Sequence, residues 1–90
     1  MINLNKKLIK LYIDKLNIDN IKTFLNNNNI YLTNNENIIL YNEIKKNWEK
    51  VLNNDESSIF ELSNKIDKDN YQKLYKLYLF YKEKYKNLFN

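Results

Sequence analysis

Apolar residues recur at helical spacing along most of the chain, and most sharply near its end. From Lys68 to Phe89, the residues Tyr71, Leu74, Tyr78, Tyr81, Tyr85 and Leu88 fall at intervals of 3, 4, 3, 4 and 3. That is an a/d seam, the pattern of a helix packed lengthwise on a partner, and it predicts one long terminal helix over 68–89. At the other end, residues 3–16 carry two apolar stripes side by side, Leu4, Leu8, Leu11 and Tyr12 beside Ile9, Ile13 and Leu16. Together they make a face wide enough for a core helix. Lys6, Lys7, Lys10 and Asp14 fill the remaining face, with Lys10 and Asp14 spaced to pair.

The stretches between are delimited by polar punctuation. Asn17 is placed to cap a helix over about 18–27, whose apolar face is Ile18, Ile21, Phe24 and Leu25. The run Asn26 to Asn29 ends it, since asparagine tolerates the left-handed conformation better than other residues with a Cβ. Ile30, Tyr31 and Leu32 read as an extended connector with Ile30 and Leu32 pointing inward. Thr33-Asn34-Asn35-Glu36 has the form of a capping box, opening a helix over about 34–53. There Tyr41, Ile44, Trp48 and Val51 repeat at 3, 4 and 3, and Trp48 reads as a core anchor. Asn53-Asn54 close that helix, Asp55 caps a short one over about 56–65, and Asp67 caps the terminal helix. The expected fold is all-α: one domain over 1–90, a small bundle of four to five antiparallel helices with a long C-terminal helix, its seam packed on helices built around Leu8 and Trp48.

Composition changes this picture mainly by what it lacks. The chain has no Gly, Pro, Cys, His, Ala or Arg, and 19 of its 90 residues are Asn. Residues with GC-rich codons are missing and those with AT-rich codons abound, so the bias points to a very AT-rich genome, such as that of a bacterium, a phage, a plasmid or an organelle. The net charge of +4 is unevenly spread. Residues 1–16 carry four Lys against one acid, 17–67 carry five against eight, and 68–90 carry six against two. Basic ends on an acidic middle predict that the terminal helices lie against the centre of the chain. No apolar run reaches the roughly 18–20 residues that span a bilayer, and no secretory signal is visible at the start. The expected location is the cytoplasm, with no membrane partner.

Candidate chemistry is sparse. Without His or Cys there is no conventional catalytic triad or dyad, and without Gly no phosphate-cradling loop of the familiar kind. Asp67-Lys68-Asp69-Asn70 looks like the start of a calcium loop but lacks its Gly and closing Glu. The expectation is no enzyme, no cofactor and no metal. Binding remains. On the side of the terminal helix opposite the seam, Leu79 and Phe80 interrupt a polar run that includes Lys73, Lys76 and Lys86. With Leu77, Tyr78 and Tyr81 they leave the helix apolar all round at its middle, so it is either enveloped by the domain or contacts a second molecule. Leu79, Phe80, Lys73, Lys76 and Lys86 are therefore the candidate partner-binding residues, for a protein partner or a homo-oligomer. The size and genome type fit a phage or plasmid inhibitor of a host protein. The alternative is a nucleic-acid accessory protein using lysines of the terminal helices, with Tyr rings interleaved to stack on bases.

Leu16 to Thr33 reads L-N-I-D-N-I-K-T-F-L-N-N-N-N-I-Y-L-T. This resembles a segment of the YqfT-like domain of unknown function, a small family from low-GC Gram-positive bacteria. Asn29, Ile30, Leu32, Thr33 and Glu36 match that family's Y-N-I-x-L-T ending and the acidic residue after it. Lys65-Ile66-Asp67 and the closing Asn87-Leu88-Phe89 are similar to its later segments. The chain departs from the family at 45–52, where K-K-N-W-E-K-V-L stands in place of R-G-K-N-I-N-I-F. The resemblance implies a small cytoplasmic helical protein and no particular activity.

Overall fold

Asparagine shapes this chain where glycine and proline would shape another. The Asn17 side chain accepts the Asn20 N–H at 2.8 Å, and the Asn20 side chain returns the bond to the Asn17 N–H at 3.2 Å. That reciprocal cap opens the second helix. At the helix end Asn29 adopts φ 61, and Asn54 adopts φ 64 at the end of the third. Around Asn29 the Ile30 N–H reaches the Leu25 carbonyl and the Asn29 N–H reaches that of Asn26. Around Asn54 the same pair of bonds runs from Asp55 to Lys50 and from Asn54 to Val51. Both are Schellman stops, in which a left-handed residue lets two orphan carbonyls be satisfied. The first also brings Ile30 onto Leu25, the apolar contact that usually accompanies the motif.

The computed structural model describes residues 4–89, and among them the fold is all-α with no strand. The helices are α1 (Leu4–Lys15), α2 (Ile18–Asn27), α3 (Asn34–Leu52), α4 (Ser57–Glu61) and α5 (Lys68–Lys84). Short 3-10 turns follow α4 at Leu62–Asn64 and α5 at Lys86–Leu88. The expected start at Asn3 lies outside the described residues, as does the side chain of Leu4. The core forms where α2 meets α3 and α5. Ile21, Leu25 and Ile30 are 5%, 3% and 3% exposed, with Leu40, Ile44, Leu74 and Leu77 packed around them.

Thr33 caps α3 as its sequence predicts. Its hydroxyl accepts the Glu36 N–H at 3.1 Å, and the Glu36 carboxylate accepts the Thr33 N–H at 3.0 Å. Thr33→Ala should destabilise the protein by about 1 kcal/mol in urea unfolding, while Asn34→Ala, one position on, should change it by less than about half of that. The charge pattern is also realised. Lys6 of α1 pairs with Glu49 at 3.2 Å and Lys82 of α5 pairs with Glu56 at 3.1 Å, so both basic ends hold the acidic middle. Lys45 donates to the carbonyls of Ile13 and Asp14, placing a cation on the negative end of α1. Lys10 and Asp14 pair at 2.9 Å.

Three expectations are corrected. First, α5 ends at Lys84 and does not run to Phe89. Tyr85 leaves the helix at φ −115, ψ 32, a 3-10 turn follows, and Phe89 is extended. The last carbonyls of a helix have no partners of their own, and tightening into 3-10 geometry is one way to satisfy them. The change of direction brings the Phe89 ring to 6.4 Å from Tyr78. The seam therefore stops at Tyr81. Tyr85 is 46% exposed and stacks on Tyr81 instead of a facing helix. Second, the Leu8 stripe of α1 is not core: Leu8, Leu11 and Tyr12 are 65%, 58% and 76% exposed. A single helix lying on α3 can turn only one of its two stripes inward, and the inward one, Ile9, Ile13 and Leu16, is half-buried. Third, α4 is α-helical only over Ser57–Glu61, a 3-10 turn over Leu62–Asn64 replacing the rest of the expected helix, and Asp55 does not cap it but accepts from Ser57 in a local turn ahead of it.

Candidate interaction surfaces on and beneath the terminal helix

Two polar clamps set the position of α5. At its start, Glu36 of α3 is buried, and its carboxylate accepts the backbone N–H of Asp67 at 2.8 Å and the side-chain amide of Asn70 at 3.1 Å. Asp67 in turn accepts the N–H groups of Asp69 and Asn70, capping the helix as expected. The bond from the Thr33 N–H, aided by those from Asp67 and Asn70, holds the Glu36 carboxyl below the usual carboxylate range against the opposing cost of burial. Toward the far end, the Tyr78 hydroxyl donates to Glu56 at 2.6 Å and Lys82 donates to the same oxygen at 3.1 Å. Burial, reinforced by the bond to Glu56, pushes the Tyr78 phenol well above its ordinary range. The hydroxyl of Tyr78 and the ammonium of Lys82 lower Glu56.

Between these clamps α5 has two distinct sides. Leu74 and Leu77 reach the core, Tyr81 lies 5.6 Å from the ring of Phe24, and Tyr75 lies 6.1 Å from that of Phe60. On the opposite side Leu79 is 44% and Phe80 59% exposed. Lys73, Lys76 and Phe80 come together with Leu77, Asn28, Asn29 and Ile30 around a shallow pocket of about 400 Å³. Neither lysine has a carboxylate partner among the described residues. The structure thus unites three of the five candidate residues. Leu79 is exposed on the same helix but outside the pocket wall, and Lys86 sits on the 3-10 turn beyond it, 3.7 Å from Glu83.

The sequence reading missed the wall that the turn after α2 contributes. Asn28 and Asn29 were legible there only as a helix stop, although a stop near a helix end is also a place where backbone and amides face outward. It also missed a much larger feature. A half-open apolar cavity of about 990 Å³ lies among the helices, with Ile13, Ile44, Trp48, Tyr71 and Tyr78 in its wall. Trp48 is half-buried and lines this space instead of filling a sealed core. Tyr12 and Phe24, both exposed, stand at its mouth. From α1 the stripe Ile9, Ile13 and Leu16 lines it, joined by Tyr12 of the exposed stripe.

Among the described residues no three His, Cys, Asp or Glu side chains are grouped to hold a metal ion, and no helix is long and apolar enough to cross a membrane. No protein-family model, curated protein or solved structure matches the chain.

Proposed function

We propose that this is a non-catalytic helical interaction module that binds another protein, or a second copy of itself, through the outer side of α5. The observation that carries the reading is the exposure of Leu79 and Phe80 in the middle of a helix clamped at both ends, with Lys73 and Lys76, which have no carboxylate partner among the described residues, beside Phe80. An aromatic side chain flanked by lysines suits a partner that offers an acidic rim around an apolar anchor. The domain acts in the cytoplasm as a small antiparallel bundle whose C-terminal helix presents the surface. Its AT-rich composition and small size support a phage or plasmid inhibitor of a host protein, and the similarity to the YqfT-like domain carries the same expectation of a small helical protein.

Light scattering and pull-down from the native host test the proposal together with the double variant Leu79→Glu, Phe80→Glu. The variant should keep its unfolding free energy within about 1 kcal/mol, since both side chains are exposed, and should lose at least about tenfold in association. A monomeric wild type whose variant loses several kcal/mol would instead assign the two residues to the core. The second reading, a nucleic-acid accessory protein, is supported by the lysines of the terminal helices that lack carboxylate partners among the described residues, Lys7, Lys15, Lys68, Lys73, Lys76 and Lys84. It requires retardation of DNA or RNA at about 50 mM salt that weakens steeply as salt rises.

A further inference from the structure

We propose that the apolar cavity among the five helices binds a single-chain lipid anion, of which a long-chain fatty acid is the simplest member. This site is separate from the outer side of α5. Its volume of about 990 Å³ lies at the top of the roughly 300–1,000 Å³ range of small-molecule sites. Every helix contributes to its wall, for instance Ile13 from α1, Phe24 from α2, Trp48 from α3, Ile59 from α4 and Tyr78 from α5. A space walled from so many directions suits a slender chain. A partner helix, roughly 10–12 Å across with its side chains, needs a trench open along its length.

The charges around the cavity select the head group. Glu43 lies in the wall, but Lys65 pairs with it at 2.9 Å and Asn47 donates to it at 2.8 Å. Glu56, beside Tyr78, is satisfied by that hydroxyl and by Lys82. Lys15 also lies in the wall, and Lys84 rests 5.8 Å from the ring of the wall residue Tyr81. Neither has a carboxylate partner among the described residues. The uncompensated charge is positive, so an apolar chain ending in a carboxylate satisfies both the wall and its rim. A second copy of the chain fits less well, because its basic terminal helices would meet the same lysines.

The test titrates the full chain with a fluorescent long-chain fatty acid and with the matching fatty alcohol, following thermal unfolding in parallel. The acid should bind one per chain and raise the melting temperature, as any ligand selective for the folded state must. The alcohol should bind about tenfold more weakly, and Lys15→Glu with Lys84→Glu should bring the acid down to the alcohol's affinity. Thr23→Trp, at an exposed position of the cavity wall, should weaken the acid about tenfold with unchanged far-UV circular dichroism. Leu79→Glu with Phe80→Glu should leave fatty-acid binding untouched, which separates this site from the outer surface. The proposal is overturned by absence of saturable binding, by equal affinity for acid and alcohol, by binding that the Trp variant does not weaken, or by a dimer that excludes the fatty acid.

Discussion

Glu36→Gln should destabilise the protein by about 2–3 kcal/mol, a large part of what a domain of this size possesses. The buried carboxylate accepts from three donors at once, the N–H groups of Thr33 and Asp67 and the amide of Asn70. Glutamine has nearly the same shape but turns one acceptor into a donor, so at least one N–H faces another donor without water to replace it. The loss should appear in urea unfolding at pH 7. It should also alter the pH dependence. Because the folded state holds the Glu36 carboxyl below its ordinary value, its contribution is complete above the unfolded value of about 4.3 and fades as pH falls through the lowered folded value. The wild type should therefore lose stability as pH falls below about 5, and Glu36→Gln should lose less over the same descent. Glu56 is lowered too, so part of the acid sensitivity should persist in the variant.

The second large effect is a contrast between two leucines. Leu25→Ala should cost about 3 kcal/mol, whereas Leu8→Ala should stay within about 0.5 kcal/mol. Leu25 is 3% exposed, packs with Ile21 and Ile30, and gives its carbonyl to the Ile30 N–H that closes α2. Leu8 is 65% exposed. Both lie in clear helical stripes, so chemical denaturation of the two variants separates burial from periodicity. Similar losses at the two sites would place the Leu8 stripe in the core after all.

That contrast shows how far the sequence could be read. Local chemistry was legible where neighbours in sequence supply it. Thr33 and Glu36, Asn17, Asp67 and the Asn26–Asn29 stop all act within a few residues, and each does in three dimensions what its spacing implies. The all-α class followed from the same periodicity. What periodicity could not decide was which of two apolar stripes on α1 meets α3, because both satisfy the helical pattern and the choice rests on a neighbour distant in the chain. The end of α5 was hidden for a similar reason. Tyr85 and Leu88 continue the 3-4 spacing, but no facing helix extends far enough to hold them, and Phe89 finds Tyr78 instead. On the outer surface, Leu79, Phe80, Lys73 and Lys76 were identifiable because their exposure depends on the helix they share. Asn28 and Asn29 were not, since their place beside Lys76 depends on how α2 lies on α5. The Glu36 clamp joins residues more than thirty positions apart, and nothing in the capping-box pattern distinguishes a box that serves one helix from one that serves two.

Asn29 carries a consequence of its own. It ends α2 in a conformation that glycine would adopt with less strain, and its neighbours Asn28 and Ile30 help to wall the pocket at Phe80. In this chain one position serves both backbone reversal and surface shape. Glycine at this position would relieve the backbone, and in doing so would strip an amide from the wall of the pocket at Phe80.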